Sequence, residues 1–132
     1  MDKTSPVKRT DLIYPELSYQ IVGVLYGVYN ELGHGLEEKI YQKATGLGLK
    51  EAGLKYTEQV YSPLKFKGIK IAKNYFDFSV DDKIVVEIKK GDKFSRAHIQ
   101  QLFTYLKSSG LKLGILAYFG PNGLHFKRII NL

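Results

Sequence analysis

Asp77-Phe78-Ser79-Val80-Asp81-Asp82-Lys83-Ile84-Val85-Val86-Glu87-Ile88-Lys89 reads as two β-strands joined by a tight turn. Phe76, Phe78 and Val80 alternate with Asp77 and Ser79, and Ile84, Val86 and Ile88 alternate with Val85, Glu87 and Lys89. This period of two gives each strand an apolar face and a face that carries charge. A two-residue loop, Asp81-Asp82, would set Ser79 opposite Ile84 and Asp77 opposite Val86, mixing the faces. A three-residue loop, Asp81-Asp82-Lys83, sets Val80 opposite Ile84, Phe78 opposite Val86 and Asp77 opposite Glu87. Directly opposed residues share a face, so the second register is the one that keeps the apolar residues together. It also sets two carboxylates side by side, with Lys89 two residues along. Adjacent like charges are unfavourable unless something positive lies between them, and a divalent cation is the obvious candidate. A polar hairpin face in water would carry the same residues, so D-x9-E-x-K has to be weighed against the rest of the chain.

The rest of the chain narrows the classes. At 132 residues it has the length of one domain, with 44% hydrophobic and 25% charged residues. Residues 1–10 are polar and expected to be loose, leaving 11–132 as a single domain. The net charge of +7 fits a polyanionic partner such as nucleic acid, although an inert basic surface has the same composition. The sequence has no Cys, which excludes disulfides, thiolate catalysis, Cys-ligated zinc and an iron–sulfur cluster, and fits a reducing compartment. The first residues have no apolar core of a signal peptide, and no apolar run reaches the ~18 residues of a membrane span. A cytoplasmic, intracellular protein with no membrane partner is expected.

Working out from the hairpin, the expected elements alternate in kind. Leu17, Ile21, Val24, Leu25, Val28 and Leu32 recur at helical spacing from a start at Asp11 or Tyr14-Pro15. Gly23 and Gly27 inside this helix predict a close packing partner. Gly33-His34-Gly35 breaks it. A second helix follows from about Glu37 to Ala52, with Ile40, Tyr41, Ala44, Leu47 and Leu49 as its apolar face and Gly53 at its end. Tyr56–Tyr61 and Leu64–Lys67 read as strands, and Gly68 turns the chain into Ile69–Ile71. Lys65, Lys67, Lys70 and Lys73 form a basic cluster that suits either phosphate contact or protection of an edge strand. A helix from Ser95 to Ser109 carries Ile99, Leu102, Phe103 and Leu106 on its core stripe. Leu111–Phe119 is an apolar run expected to be buried on both faces, and Leu124–Ile130 a final edge strand. The helix between the hairpin and Leu111–Phe119 permits a parallel crossover, so the fold class is α/β, a mixed β-sheet flanked by helices.

The ordered set of motifs resembles a known family. Gly35-Leu36-Glu37-Glu38-Lys39-Ile40-Tyr41 spells G-x-x-E-x-x-Y; Asp77 and Glu87-Ile88-Lys89 follow on the hairpin, and Gln101 to Tyr105 spells Q-x-x-x-Y on the third helix. Together with Lys65-Phe66-Lys67-Gly68 and His98, this is similar to the GxxExxY family of the PD-(D/E)xK nuclease superfamily, the restriction-endonuclease-like fold, over about Leu17 to Phe126. The resemblance implies a metal-dependent nuclease acting on DNA. Asp77 and Glu87 would bind Mg²⁺, with Mn²⁺ as a substitute. Glu38 would complete the acidic site, and Lys89 would orient the attacking water and stabilise phosphorane charge. Gln101 and Tyr105 would line the site, with Tyr41, Lys65, Lys67, Lys73 and His98 as substrate contacts. A homodimer is also compatible with the resemblance.

The chemistry is consistent with this: phosphodiester hydrolysis needs a positive centre on the nonbridging oxygens and an activated water, and hard cations take carboxylates and waters. The chain departs from the family in having Phe76 where a basic residue usually precedes the hairpin Asp, and in lacking the superfamily Pro. Simpler readings stand beside these roles. Tyr41 would serve equally as a core aromatic, Glu38 as a residue favoured by the helix dipole, and Gln101 with Tyr105 as a surface pair. A nucleic-acid-binding or partner-regulating module that retains the nuclease fold without turnover is the alternative function. Repulsion between the metal-free carboxylates predicts that Asp77→Ala leaves the fold intact or more stable.

Overall fold

A computed structural model describes residues 13–132. The segment expected to be loose and the proposed helix start at Asp11 lie outside the described residues. Helix α1 (Pro15–Leu32) begins with Pro15 in its first turn, where a missing N–H costs nothing, and buries Ser18, Ile21, Leu25 and Val28 along one stripe. Helix α2 (Glu38–Glu51) follows the Gly33–Gly35 break. Strands β1 (Tyr56–Tyr61), β2 (Leu64–Phe66), β3 (Ile69–Ala72), β4 (Tyr75–Val80) and β5 (Ile84–Lys90) come next, then helix α3 (Arg96–Ser109) and strands β6 (Leu113–Gly120) and β7 (Gly123–Ile130). Ser95 caps α3 by accepting the His98 N–H, and Gly110 ends it at φ 80°.

The main sheet has five strands in the order β1-β4-β5-β6-β7. The β5–β6 pair, joined through α3, is parallel and the other pairs are antiparallel. Helices α1 and α2 cover one face, packing Ile21, Leu25, Tyr41 and Leu49 against Phe78, Val86, Ile88 and Ile115. Helix α3 covers the other, packing Leu102 and Leu106 against Val85, Leu116 and Ile129. Every residue of β6 is buried, as its unbroken apolar run requires.

The hairpin takes the three-residue register, with Val80 opposite Ile84 and Phe78 opposite Val86. Asp81 and Asp82 occupy the left-handed region at φ 54° and 53°, which Asp tolerates, and the Lys83 N–H closes on the Val80 carbonyl at 3.0 Å. The strand alternation is broken at one level. Phe78 and Tyr56 pack with the α1/α2 core, while Phe76, two residues from Phe78, and Val60, four from Tyr56, pack with the α3 core. Between them lie Asp77 and its cross-strand neighbour Gln59, which sits at φ 55°. A left-handed residue inside a strand rotates the side chains beyond it to the other face. The expectation that Phe76 shares a face with Phe78 and Val80 is therefore corrected.

Other expectations also change. β3 does not join the main sheet but pairs with β2 in a separate two-stranded arm, turning at Lys67 and Gly68 with φ of 51° and 81°. Ile40 and Leu47 point outward, and the face that α2 buries is Tyr41, Thr45, Gly46 and Leu49. A Cβ added at Gly23 or Gly27 would meet nothing within 4 Å, so neither glycine is required by a close approach; that approach between α1 and α2 is made by Gly48, where a Cβ would come within 2.7 Å of Val24 Cγ1.

Gly120 closes the sheet near the end of β5. A Cβ there would lie 2.6 Å from the Gly91 carbonyl oxygen, and backbone cannot yield as a side-chain tip can. Gly120→Ala is expected to destabilise the fold by about 1–3 kcal/mol in urea unfolding. An unchanged midpoint would mean that the two strand ends do not approach this closely.

Candidate active site

The β4–β5 ladder stops at Phe78 and Val86. Past that point side chains take over from main chain: Glu87 Oε1 accepts the Asp77 N–H at 3.0 Å, and Asp77 Oδ2 accepts the Ile88 N–H at 2.7 Å. Each carboxylate thus satisfies a backbone donor that the parting strands leave without a ladder partner, and each keeps a second oxygen. Asp77 is only 6% exposed. Lys89 Nζ stands 3.5 Å from Glu87 Oε2. The hairpin register, continued past the end of the ladder by these carboxylate–backbone bonds, brings the three side chains together, so the adjacency argued from sequence is realised. Glu38 arrives from the first turn of α2, where its Oε2 accepts the Lys90 N–H at 3.1 Å and ties the helix to the end of β5.

Burial pushes the Glu87 carboxyl up to about 8, with the neighbouring Asp77 charge adding to the rise and Lys89 opposing it. Asp77 is raised as well, first by burial, with its hydrogen bond from Ile88 and the Lys89 charge pulling the other way and Glu38 adding to the rise. The sign for stability follows. Between the ordinary value of 4.5 and about 8 the native Glu87 holds a proton that the unfolded chain has lost. Its contribution is complete below that window and disappears as pH rises through it. In EDTA the melting temperature is expected to fall from pH 5 to pH 8.5, by several degrees (~1.4 kcal/mol for each unit of difference in pKa). Glu87→Gln should flatten the fall. A divalent cation held by the pair would replace the proton; Mg²⁺ or Mn²⁺ is then expected to raise the melt most at the alkaline end and to release protons on binding. A flat profile in EDTA would mean that the carboxyl pair is not desolvated.

Around this centre the structure separates the remaining candidates. His98 lies at the rim, its Nδ1 2.6 Å from the Tyr118 hydroxyl, whose oxygen also accepts the Ser95 N–H at 3.2 Å. Burial and the Lys89 charge lower its pKa, so the imidazole is neutral at pH 7. Gln101 and Tyr105 line a groove of about 830 Å³ between α3 and the start of the arm, with Lys65 on the opposite wall. The Tyr105 ring packs 5.2 Å from that of Phe76, the residue before Asp77. Lys67 and Lys73 are exposed on the arm, outside that groove. Tyr41 is the exception. It is fully buried, stacks 4.3 Å from Phe119, donates its hydroxyl to the Gly33 carbonyl at 2.7 Å and accepts the Leu36 N–H at 3.2 Å. It ties down the α1–α2 turn and offers no surface to a substrate, so its expected role as a substrate contact is corrected.

Sequence reasoning missed three residues. Tyr118 was hidden in the apolar run of β6, although the parallel register sets it beside Lys89. Glu58 and Gln59 line a second cavity of about 340 Å³ that reaches Asp77 from the α2 side, with Lys39 and Lys43 on its wall. A carboxylate three residues before the end of a strand gives no signal of its own, and nothing in the sequence marks a left-handed Gln59.

The donor set suits a hard divalent cation. Such ions need one or two carboxylates and fill their remaining positions with water. Asp77 and Glu87 supply that pair; burial raises both, and the Asp77 charge adds to the rise at Glu87, so a cation or a proton is what neutralises them. Among the described residues no three His, Asp or Glu side chains converge as a cluster, so Glu38, bonded to the Lys90 amide, would act from outside the pair. Among the described residues no helix is long and apolar enough to cross a membrane.

Comparison with known proteins bears on this site. No curated protein matches the sequence. Among solved structures, that titled "Crystal structure of SSO0001" is similar at 22% identity and a TM-score of 0.52, covering 93% of this chain and 60% of its own. An alkaline exonuclease from Laribacter hongkongensis is similar at 17% identity and a TM-score of 0.50, covering 71% of this chain and 56% of its own. The chain thus spans under two-thirds of both, and the likeness shows a shared fold, a mixed sheet flanked by helices. The family model described as PD-(D/E)XK nuclease superfamily matches residues 15–129. Matched from its first helix to its last strand, the chain belongs to the PD-(D/E)XK nuclease superfamily.

Proposed function

We propose that the chain is a metal-dependent nuclease that hydrolyses phosphodiester bonds in DNA, and that within its superfamily it belongs to the GxxExxY group. The observation that carries this reading is the Asp77–Glu87 pair: two carboxyls raised by burial, Glu87 further by the Asp77 charge, with Lys89 3.5 Å from Glu87. A pair of that kind is costly to the fold and suited to holding a cation, Mg²⁺ with Mn²⁺ as substitute. When bound, the cation supplies a Lewis acid for the nonbridging oxygen and lowers the pKa of a water.

The chain's own groups do the rest. Asp77 and Glu87 would hold the cation, and Glu38 would act beside them from the α2 side. Lys89 orients the attacking water and stabilises the charge that builds on the phosphate. Gln101 and Tyr105 place the strand along α3, and Lys65, Lys67 and Lys73 neutralise its phosphates. His98, held neutral against Tyr118, is a hydrogen-bonding contact at the rim and adds no charge there. The family match supports the nuclease reading. The absence of Cys is compatible with the reducing cytoplasm.

The test is a titration of Mg²⁺ and Mn²⁺ against end-labelled single-stranded and duplex DNA, with EDTA as the zero point. Metal-dependent product bands are expected. A gel shift without cleavage at any metal concentration, and no metal effect on thermal melting, would favour the non-catalytic binding module.

A further inference from the structure

The β2–β3 arm serves no purpose in the fold. It pairs with no strand of the main sheet, and its strand residues are all exposed. A two-stranded hairpin standing alone is marginal in water. Its cross-strand pairing makes matters worse, because Lys65 stands directly opposite Lys70, and like charges so placed repel. Between Ser62 and Tyr75 there are four Lys and no acidic residue. At the tip, Phe66 faces Ile69 across the Lys67-Gly68 turn, and the two are 61% and 69% exposed. Both turn residues have positive φ, the geometry that joins hairpin strands most tightly, so the tip is held in one shape. A second copy of this chain, itself at net charge +7, would bring positive charge against positive charge. A polyanion would relieve it.

We propose that the β2–β3 arm is a strand-separating wedge: Lys65 and Lys70 grip the phosphates of a nucleic-acid fork while Phe66 and Ile69 enter between its bases. The inference rests on the nuclease reading and names its substrate, a nucleic acid with a single-stranded end. Apolar side chains of this kind unstack base steps where a protein inserts them. The separated strand has a path onward. The groove beside the arm has Lys65 on one wall, Gln101 and Tyr105 on the other, and no carboxylate among its lining residues. At the arm's base Tyr61 and Tyr75, each 42% exposed and 5.3 Å apart, form an aromatic platform with Lys70 5.5 Å from the Tyr61 ring. Aromatic faces with adjacent cations bind single-stranded bases without regard to sequence. The Tyr105 ring on that groove packs against Phe76, the residue before Asp77.

The test compares the wild-type chain with Phe66→Ser/Ile69→Ser and Lys65→Gln/Lys70→Gln. Fluorescence anisotropy in EDTA, where nothing is cleaved, measures binding to forked, single-stranded and blunt duplex DNA, and a fluorescent adenine analogue at the fork junction reports unstacking. The tip variant should weaken fork binding about tenfold and abolish the unstacking signal while leaving blunt duplex within about twofold. The lysine variant should weaken all three and flatten the single-strand salt slope by about 1.4. All four positions are exposed and outside the main sheet, and matching melts would establish that the variants fold. Fork and blunt duplex affected alike by the tip variant, unchanged binding by either variant, or a change confined to oligomeric state in sedimentation would each overturn the wedge. A wild-type chain that binds no nucleic acid at low salt sinks the nuclease reading along with it. A chain that cleaves normally with the arm variants sinks the wedge alone.

Discussion

Asp77→Asn is expected to lower metal-dependent cleavage about a thousandfold or more, since losing the cation's charge stabilisation and its activated water removes about 4 kcal/mol from the transition state. The choice of Asn over Ala follows from the structure. Asp77 Oδ2 accepts the N–H of the fully buried Ile88 at 2.7 Å. Ala would orphan that donor at a cost of about 1–3 kcal/mol, set against the relief of carboxylate repulsion. The expectation that Asp77→Ala leaves the fold unharmed or more stable therefore passes to Asn, which keeps an acceptor for Ile88 and drops the charge. With Asp77 neutral, one cause of the raised Glu87 pKa is gone. Asp77→Asn should then melt above the wild type in EDTA, with the largest gain at alkaline pH, and Mg²⁺ should shift its melt little. Nuclease assay and melting belong in one experiment. Equal cleavage by both proteins would place the activity elsewhere, whether at another site or in a contaminant.

How much of this was legible in the sequence depended on whether a residue's role is set by pattern or by chain reversal. The hairpin register was readable because only one loop length keeps Phe78, Val80, Ile84, Val86 and Ile88 on one face, and the register alone places Asp77 beside Glu87. The α3 boundaries were readable from Ser95 and Gly110, each a cap with a local mechanism. The reversal at Gln59 and Asp77 was not, since nothing in the residue names marks a left-handed glutamine in a strand. Tyr41 was ambiguous because a core tyrosine and a site tyrosine share the same spacing; its hydroxyl is settled by Gly33 and Leu36, on a turn whose shape no periodicity describes. The separation of the arm from the main sheet was not legible because β2 and β3 have strand composition, and composition does not name a strand's partner. Glu38 was legible as a member of the site, though its bond to Lys90 spans 52 positions.

Lys89→Met separates two roles that the geometry gives to one ammonium. At 3.5 Å from Glu87 Oε2 it favours the ionised carboxylate, and it also opposes the rise at Asp77 and lowers His98. In the proposed reaction it also stabilises charge on the phosphate and orients water. Methionine keeps the apolar stem and deletes the charge. Two effects are expected in the rate profile. Its acid limb should move to higher pH, because Glu87 without its cation holds the proton more strongly. The plateau above that limb should fall about a hundredfold, the usual cost of losing one preorganised group at a developing anion. Metal affinity measured on the plateau should change little, since neither carboxylate is lost. The plateau carries the decision. If raising the pH to about 9 returned Lys89→Met to the wild-type rate, Lys89 would act only by keeping Glu87 ionised. If the deficit persists there while the metal-induced melting shift is retained, the ammonium acts on the reacting phosphate itself.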